Sequence, residues 1–143
     1  MRYAYPVALD PEPDGSAVNV AFPDVPEALT WGDDEAEALE LAEDCLVTAL
    51  DWRVRHGEPI PRPGPARARP MIVVPPLVAA KLALYTAMRE RGIDAAELAR
   101  RLGVSEKTVR SMLHLKRRAH IAHLERALAQ LGVRLEVSVR EAA

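Results

Sequence analysis

Five prolines (Pro59, Pro61, Pro63, Pro65 and Pro70) and Gly64 fall within residues 58–70. Proline lacks a backbone N–H and fixes φ, so neither a helix interior nor a central strand can run through such a stretch. The chain of 143 residues is thereby divided into two folding pieces joined by an extended, semi-stiff connector over residues 57–70. The expected organisation is a domain over residues 1–70 and a second over residues 75–143. The apolar run Met71-Ile-Val-Val74 is a short strand that could join either piece, most simply the sheet of the first.

The two pieces differ in charge. Residues 1–58 hold 14 Asp and Glu against three basic residues, a net of −11, whereas residues 59–143 hold 16 Lys and Arg against seven acids, a net of +9. Such a split favours nucleic acid as the partner of the basic piece and a basic protein as the partner of the acidic one. Apolar residues make up 49 % of the chain, which supports a packed core, and aromatics only 4 %, which makes that core aliphatic.

Several classes are disfavoured. The longest uncharged stretch, residues 70–80, is short and holds three prolines, so no membrane span is expected. The first residues carry no signal-like apolar run, so the expected location is cytoplasmic. Cys45 is the one cysteine, which excludes an intramolecular disulfide; its Leu and Val neighbours read as a buried helix position. His114, His120 and His123 lie close together, but no Cys or suitably spaced carboxylate completes a zinc set. No phosphate-binding glycine loop or catalytic triad pattern appears, so no cofactor and no enzymatic activity are expected.

In the first piece, Tyr3, Tyr5, Val7 and Leu9 alternate as in a half-buried strand. A turn cluster at residues 10–15 precedes a second strand over residues 17–22, with Val18, Val20 and Phe22 on one face, giving a hairpin. Pro23 and Pro26 should take the chain out of the sheet, with a short third strand at Leu29, Thr30 and Trp31. Asp33 or Asp34 then caps a helix whose Ala36, Leu39, Ala42, Leu46, Val47 and Leu50 recur at helical spacing, ending near His56 and Gly57.

The second piece reads as helical from Pro76, with Leu77, Ala80, Leu84 and Met88 on one face, up to Gly132. Val133, Leu135, Val137 and Val139 then alternate with polar residues as a terminal strand. Within this piece, DAAELARRLGVSEKTVRSMLHL (residues 94–115) fits a helix-turn-helix. Asp94 and Glu97 form a capping box, Ala99 permits close helix crossing, Gly103 supplies a left-handed turn, and Val104 plugs the space beneath it. Ser105 caps the second helix, and Val109, Met112 and Leu113 bury its inner face. A helix so placed presents Ser105, Glu106, Lys107, Thr108, Arg110 and Ser111 to base edges in a major groove. Arg100, Arg101, Lys116, Arg117 and Arg118 flank it and suit phosphates. The expected ligand is operator double-stranded DNA.

Further residues carry a family resemblance: Phe22-Pro-Asp-Val-Pro26, Thr30-Trp-Gly-Asp33, Glu35-Ala-Glu-Ala-Leu39 and Ile60-Pro-Arg-Pro63. Together with Ala99-Arg-Arg-Leu-Gly103, they make the chain resemble the HicB antitoxins, in the subgroup with a helix-turn-helix of the XRE/Cro type. The resemblance implies an α+β protein with a partial ribonuclease-H-like sheet-plus-helix domain lacking nuclease activity, followed by the helical DNA-binding domain and its terminal strand. It also implies that the first domain neutralises a small basic HicA-like mRNA-cleaving toxin, with residues 22–27 (Phe22, Pro23, Asp24, Val25, Pro26 and Glu27) as candidate contacts. The second domain would repress the operon as a homodimer or higher homo-oligomer, with residues 133–139 as the pairing element. Two other readings stand beside this one. A one-component regulator would sense a small molecule with its first domain, and a surviving ribonuclease-H-like nuclease would need converging carboxylates that these strands do not supply.

Overall fold

The computed structural model describes residues 1–142. The chain divides into two compact units, Met1–Pro75 and Pro76–Ala143. Each has its own secondary structure and is described by itself.

The first unit is built on five short strands and one long helix. β1 (Ala4–Pro6) and β2 (Ala8–Pro11) are followed by β3 (Val18–Phe22), β4 (Val25–Gly32), α1 (Glu35–Arg55) and β5 (Met71–Val73). β2, β3 and β4 form an antiparallel sheet in that order, and β1 pairs antiparallel with β5 in a separate two-stranded sheet. The expected hairpin is present as β2–β3, with Leu9 opposite Val20.

Three expectations about these strands are corrected. The alternating stretch from Tyr3 to Leu9 is not one half-buried strand. It breaks at Val7, whose N–H donates to the Pro70 carbonyl at 2.9 Å, and its two parts enter different sheets. Tyr3, Ala4, Tyr5 and Val7 are all buried, because this segment is covered on both sides. Pro23 and Pro26 do not take the chain out of the sheet. Phe22 pairs with Val25 across a turn at Pro23 and Asp24, and β4 extends over eight residues rather than three. The register then jumps from Phe22–Val25 to Ala21–Leu29, so Pro26 sits in an irregular stretch where no ladder bond is required of it.

α1 packs across β4 and β3. Asp34 caps it by accepting from the Glu37 N–H at 2.8 Å. Ala38, Ala42, Leu46, Val47, Ala49 and Leu50 are buried, whereas Ala36, expected on this face, is exposed in the first turn. The connector is not a free tether. Tyr5 Oη donates to the Pro61 carbonyl at 2.7 Å and the Gly64 N–H donates to Asp24 at 2.8 Å, so residues 58–70 run back over their own unit and deliver β5 to β1.

The second unit comprises α2 (Pro76–Arg91), α3 (Ala95–Leu102), α4 (Glu106–Leu113) and α5 (Ile121–Gln130). Ala80, Leu84, Met88, Leu98, Ala99, Leu102, Val109, Met112, Leu124 and Leu128 form one core, with Leu77 and Leu113 packed against it. The terminal strand expected at residues 133–139 does not form. The described residues of this unit offer no other strand for it to pair with. Instead Val133 and Leu135 pack on the helical core, and Val137 and Val139 project into solvent.

One close approach fixes how α1 meets the sheet. A methyl group at Gly32 would lie 2.5 Å from the Ala38 amide nitrogen and 2.8 Å from its Cα, both backbone atoms that cannot yield locally. Gly32→Ala is therefore expected to lower stability by about 1–3 kcal/mol, the usual cost of overpacking. Chemical denaturation measures this, and a variant as stable as the parent would contradict the packing.

Candidate functional site

The α3–turn–α4 segment follows directly from its capping residues. Asp94 accepts from the Glu97 N–H at 2.8 Å, starting α3. Gly103 ends it at φ 68°, ψ 34°, a left-handed conformation that glycine adopts without a Cβ penalty. Ser105 Oγ accepts from the Thr108 N–H at 3.1 Å and starts α4. Two expected details differ. Glu97 does not complete the capping box; its carboxylate turns outward to Arg100 and Arg101. Val104 is not a buried plug but is 38 % exposed, because the left-handed turn at Gly103 swings it outward.

The candidate groove-reading residues lie on one exposed side of α4. Lys107, Thr108 and Arg110 are exposed, Ser105 sits at the helix start, and Glu106 and Ser111 are half-buried, while Val109 and Met112 face the core. Glu106 and Arg110 form an ion pair one turn apart. Arg100 and Arg101 both pair with Glu97, at 2.6 and 3.0 Å. Hydrogen bonds from Arg100 first, and from Arg101 next, hold the Glu97 carboxyl down to about 2. These guanidiniums are thus oriented by carboxylates on their own helices and must exchange partners to reach a phosphate.

Lys116, Arg117 and Arg118 follow α4 in an exposed turn. What holds that turn is a residue the sequence reading passed over. Lys81 on α2 is fully buried, and its Nζ donates to the carbonyls of His114 (2.6 Å) and Arg117 (2.5 Å). A buried ammonium needs such acceptors to offset its lost hydration. Here it also satisfies carbonyls at and beyond the C-terminal end of α4, fixing the basic turn beside the candidate reading face. The sequence holds one signal for it, since Lys81 falls at helical spacing within the apolar stripe of Leu77, Leu84 and Met88, although a lysine within a helix normally faces water.

On the first unit, residues 22–27 divide into inside and outside. Phe22 and Val25 are core residues, 1 % and 0 % exposed. Asp24 is half-buried and holds Gly64. Pro23, Pro26 and Glu27 reach the surface, with Glu27 paired to Arg53. The side-chain hydrogen bond from Arg53 lowers the Glu27 pKa. Next to this pair lies a groove of about 770 Å³ lined by Glu27, Leu29, Leu41, Asp44, Cys45, Trp52 and Arg53 among others. Cys45 is half-buried there rather than enclosed in the core; burial, and then the Asp44 charge, raise its pKa. The thiol is therefore less ionised than an ordinary cysteine. A signal for this groove exists in the sequence: Leu41, Cys45, Thr48 and Trp52 form a second stripe at helical spacing beside the core stripe.

Among the described residues, no group of three or more His, Cys, Asp or Glu side chains is placed to hold a metal ion, and no helix is long and apolar enough to cross a membrane. The fold is that of an α+β protein with an acidic and a basic unit. The chain belongs to the HicB-like antitoxins of bacterial toxin–antitoxin systems, whose family model matches residues 4–83. It is 37 % identical over 135 residues to Antitoxin HicB 1 of Photorhabdus laumondii, covering 94 % of this chain and 86 % of that one. It is 38 % identical to Antitoxin HicB of Escherichia coli K12, covering 93 % and 96 %, and 36 % identical to Antitoxin HicB of Pseudomonas fluorescens, covering 94 % of each. The family match spans the first unit and the start of α2, and the relatives extend over both units. The protein is accordingly an antitoxin and not an enzyme.

The Lys81 contacts carry a direct consequence. Lys81→Met leaves two carbonyls without their ammonium donor and is expected to destabilise the protein by about 1–3 kcal/mol. Thermal and denaturant unfolding report it, and unchanged stability would show that water replaces the ammonium at no cost.

Proposed function

We propose that this antitoxin neutralises a small basic HicA-like mRNA-cleaving toxin through its acidic unit, and represses its own operon through a helix-turn-helix formed by α3 and α4. The first unit then represents a partial ribonuclease-H-like fold used for binding alone. The carrying observation is the exposed basic side of α4, continued by the turn that Lys81 fixes. The Pro76–Ala143 unit has 13 basic against seven acidic residues, a net of +6; the Met1–Pro75 unit has 14 acidic against six basic, a net of −8. A cationic surface attracts phosphates, and an anionic one attracts an RNA-binding toxin by presenting a field like that of its substrate.

In this reading α4 enters the major groove. Lys107 and Arg110 donate to guanine O6 and N7, Glu106 accepts from cytosine N4, and Ser105, Thr108 and Ser111 complete the reading face. Arg100, Arg101, Lys116, Arg117 and Arg118 bind the backbone on either side. Glu106 and Glu97 compete with DNA for Arg110 and for Arg100 and Arg101, so part of the non-specific attraction is held back until a site offers better acceptors. Helix-turn-helix proteins usually read paired half-sites as dimers. The alternating segment 133–139, with Val137 and Val139 exposed, is suited to pair with its counterpart in a homodimer.

Gel retardation of duplexes from the chain's own promoter tests the DNA arm. Lys107→Ala or Arg110→Ala is expected to weaken cognate binding by about 1–3 kcal/mol while sparing stability. Unchanged affinity in both variants would contradict the placement of α4 in the groove.

A further inference from the structure

α1 carries two stripes, and only one of them faces the sheet. Leu41, Cys45, Thr48 and Trp52 stand one above another on the second, with Leu41 42 % and Trp52 48 % exposed. Beside them runs β4, which is hydrogen-bonded to β3 on one side; among the described residues no strand lies on its other side. Leu29 on that strand is 66 % exposed. The groove between strand and helix therefore combines an apolar floor (Leu29, Leu41, Cys45, Ala49 and Trp52) with the open edge of a sheet. Pro26, Glu27 and the register shift blunt the first part of this edge, which leaves Ala28 to Trp31 as the stretch open to another strand.

The rim says what chemistry fits. Glu27, Asp44 and Glu58 line it against one basic residue, Arg53, which is itself paired with Glu27. Glu40 and Glu43 extend the negative surface along α1. Phosphates are repelled here. A second copy docked on the same groove would bring like-charged rims together, which costs affinity.

We infer that this groove takes an extended segment of a basic protein partner, which adds a strand to the free edge of β4. Its apolar side chains settle between Leu29, Leu41 and Trp52, and its lysines or arginines meet Glu27, Asp44 and Glu58. This rests on the toxin-neutralising reading and specifies its surface, displacing the 22–27 turn as the main contact because Phe22 and Val25 are in the core.

The test uses the full chain and a small basic HicA-like protein as its partner, with complex formation measured by co-purification and calorimetry. Leu41→Glu, Trp52→Glu and Asp44→Lys are each expected to weaken the complex more than about tenfold, the loss of one good contact. Asp14→Lys, the same charge change on the β2–β3 turn, is expected to leave it unchanged. On the unmodified pair, maleimide labelling of Cys45, read by mass spectrometry, should slow more than about tenfold when the partner is present. Because this readout needs no substitution, it holds even where a variant misfolds. Tight binding by the parent with no loss in the groove variants and no Cys45 protection overturns the groove and leaves the toxin-neutralising reading standing. Failure of the parent to bind overturns both. Self-association that Leu41→Glu abolishes without the partner assigns the groove to a second copy and also overturns the inference.

Discussion

Net charges of −8 and +6 are held on two compact units of one chain, each set by that unit's own residues. This constrains what each surface can bind. At physiological ionic strength exposed charges act over about 8 Å, so a partner responds chiefly to the charges of the surface it touches. By sign of charge alone, the acidic unit favours a cationic partner over a polyanion, and the basic unit the reverse, which is the basis of the proposed division of roles. The sequence-wide net of −2 conceals this division, which is why it is informative only when counted piece by piece.

Within each unit a few buried contacts turn charge into a shaped surface. In the second, Lys81 is held without solvent contact by the carbonyls of His114 and Arg117, and this anchors the end of α4 together with the turn bearing Lys116, Arg117 and Arg118. In the first, Gly32 lets the start of α1 approach β4 at backbone distance. With α1 packed on β4 and β3, the second stripe of the helix is left beside the strand's open edge. The proposed reading face on α4 and the groove beside α1 and β4 are thus mounted largely on regular secondary structure, which limits the ordering cost of association.

Local backbone chemistry was legible in the sequence. Asp34, Asp94 and Ser105 cap the helices they were expected to cap, and Gly57, Gly103 and Gly132 follow helix ends at positive φ. The core face of the 94–115 segment was also legible, through Leu98, Ala99, Leu102, Val109 and Met112. What failed needed long-range information. The split at Val7 depends on Pro70, more than 60 residues away. Pro26 was tolerated in β4 because the register shifts opposite it, which no local pattern announces. Residues 133–139 have the period of a strand, but among the described residues no strand pairs with them. Lys81 and the Leu41–Trp52 stripe were missed for the same reason: burial and exposure belong to the packed unit, and helical spacing alone does not say which of two stripes is covered.

The most direct test of this division is the salt dependence of duplex binding by the full chain on its own promoter. Because each neutralised phosphate releases counterions, affinity is predicted to fall by more than about tenfold between 50 and 200 mM salt. Affinity that is absent at low salt, or insensitive to salt across that range, would contradict a cationic reading surface on the second unit and the functional account built on it.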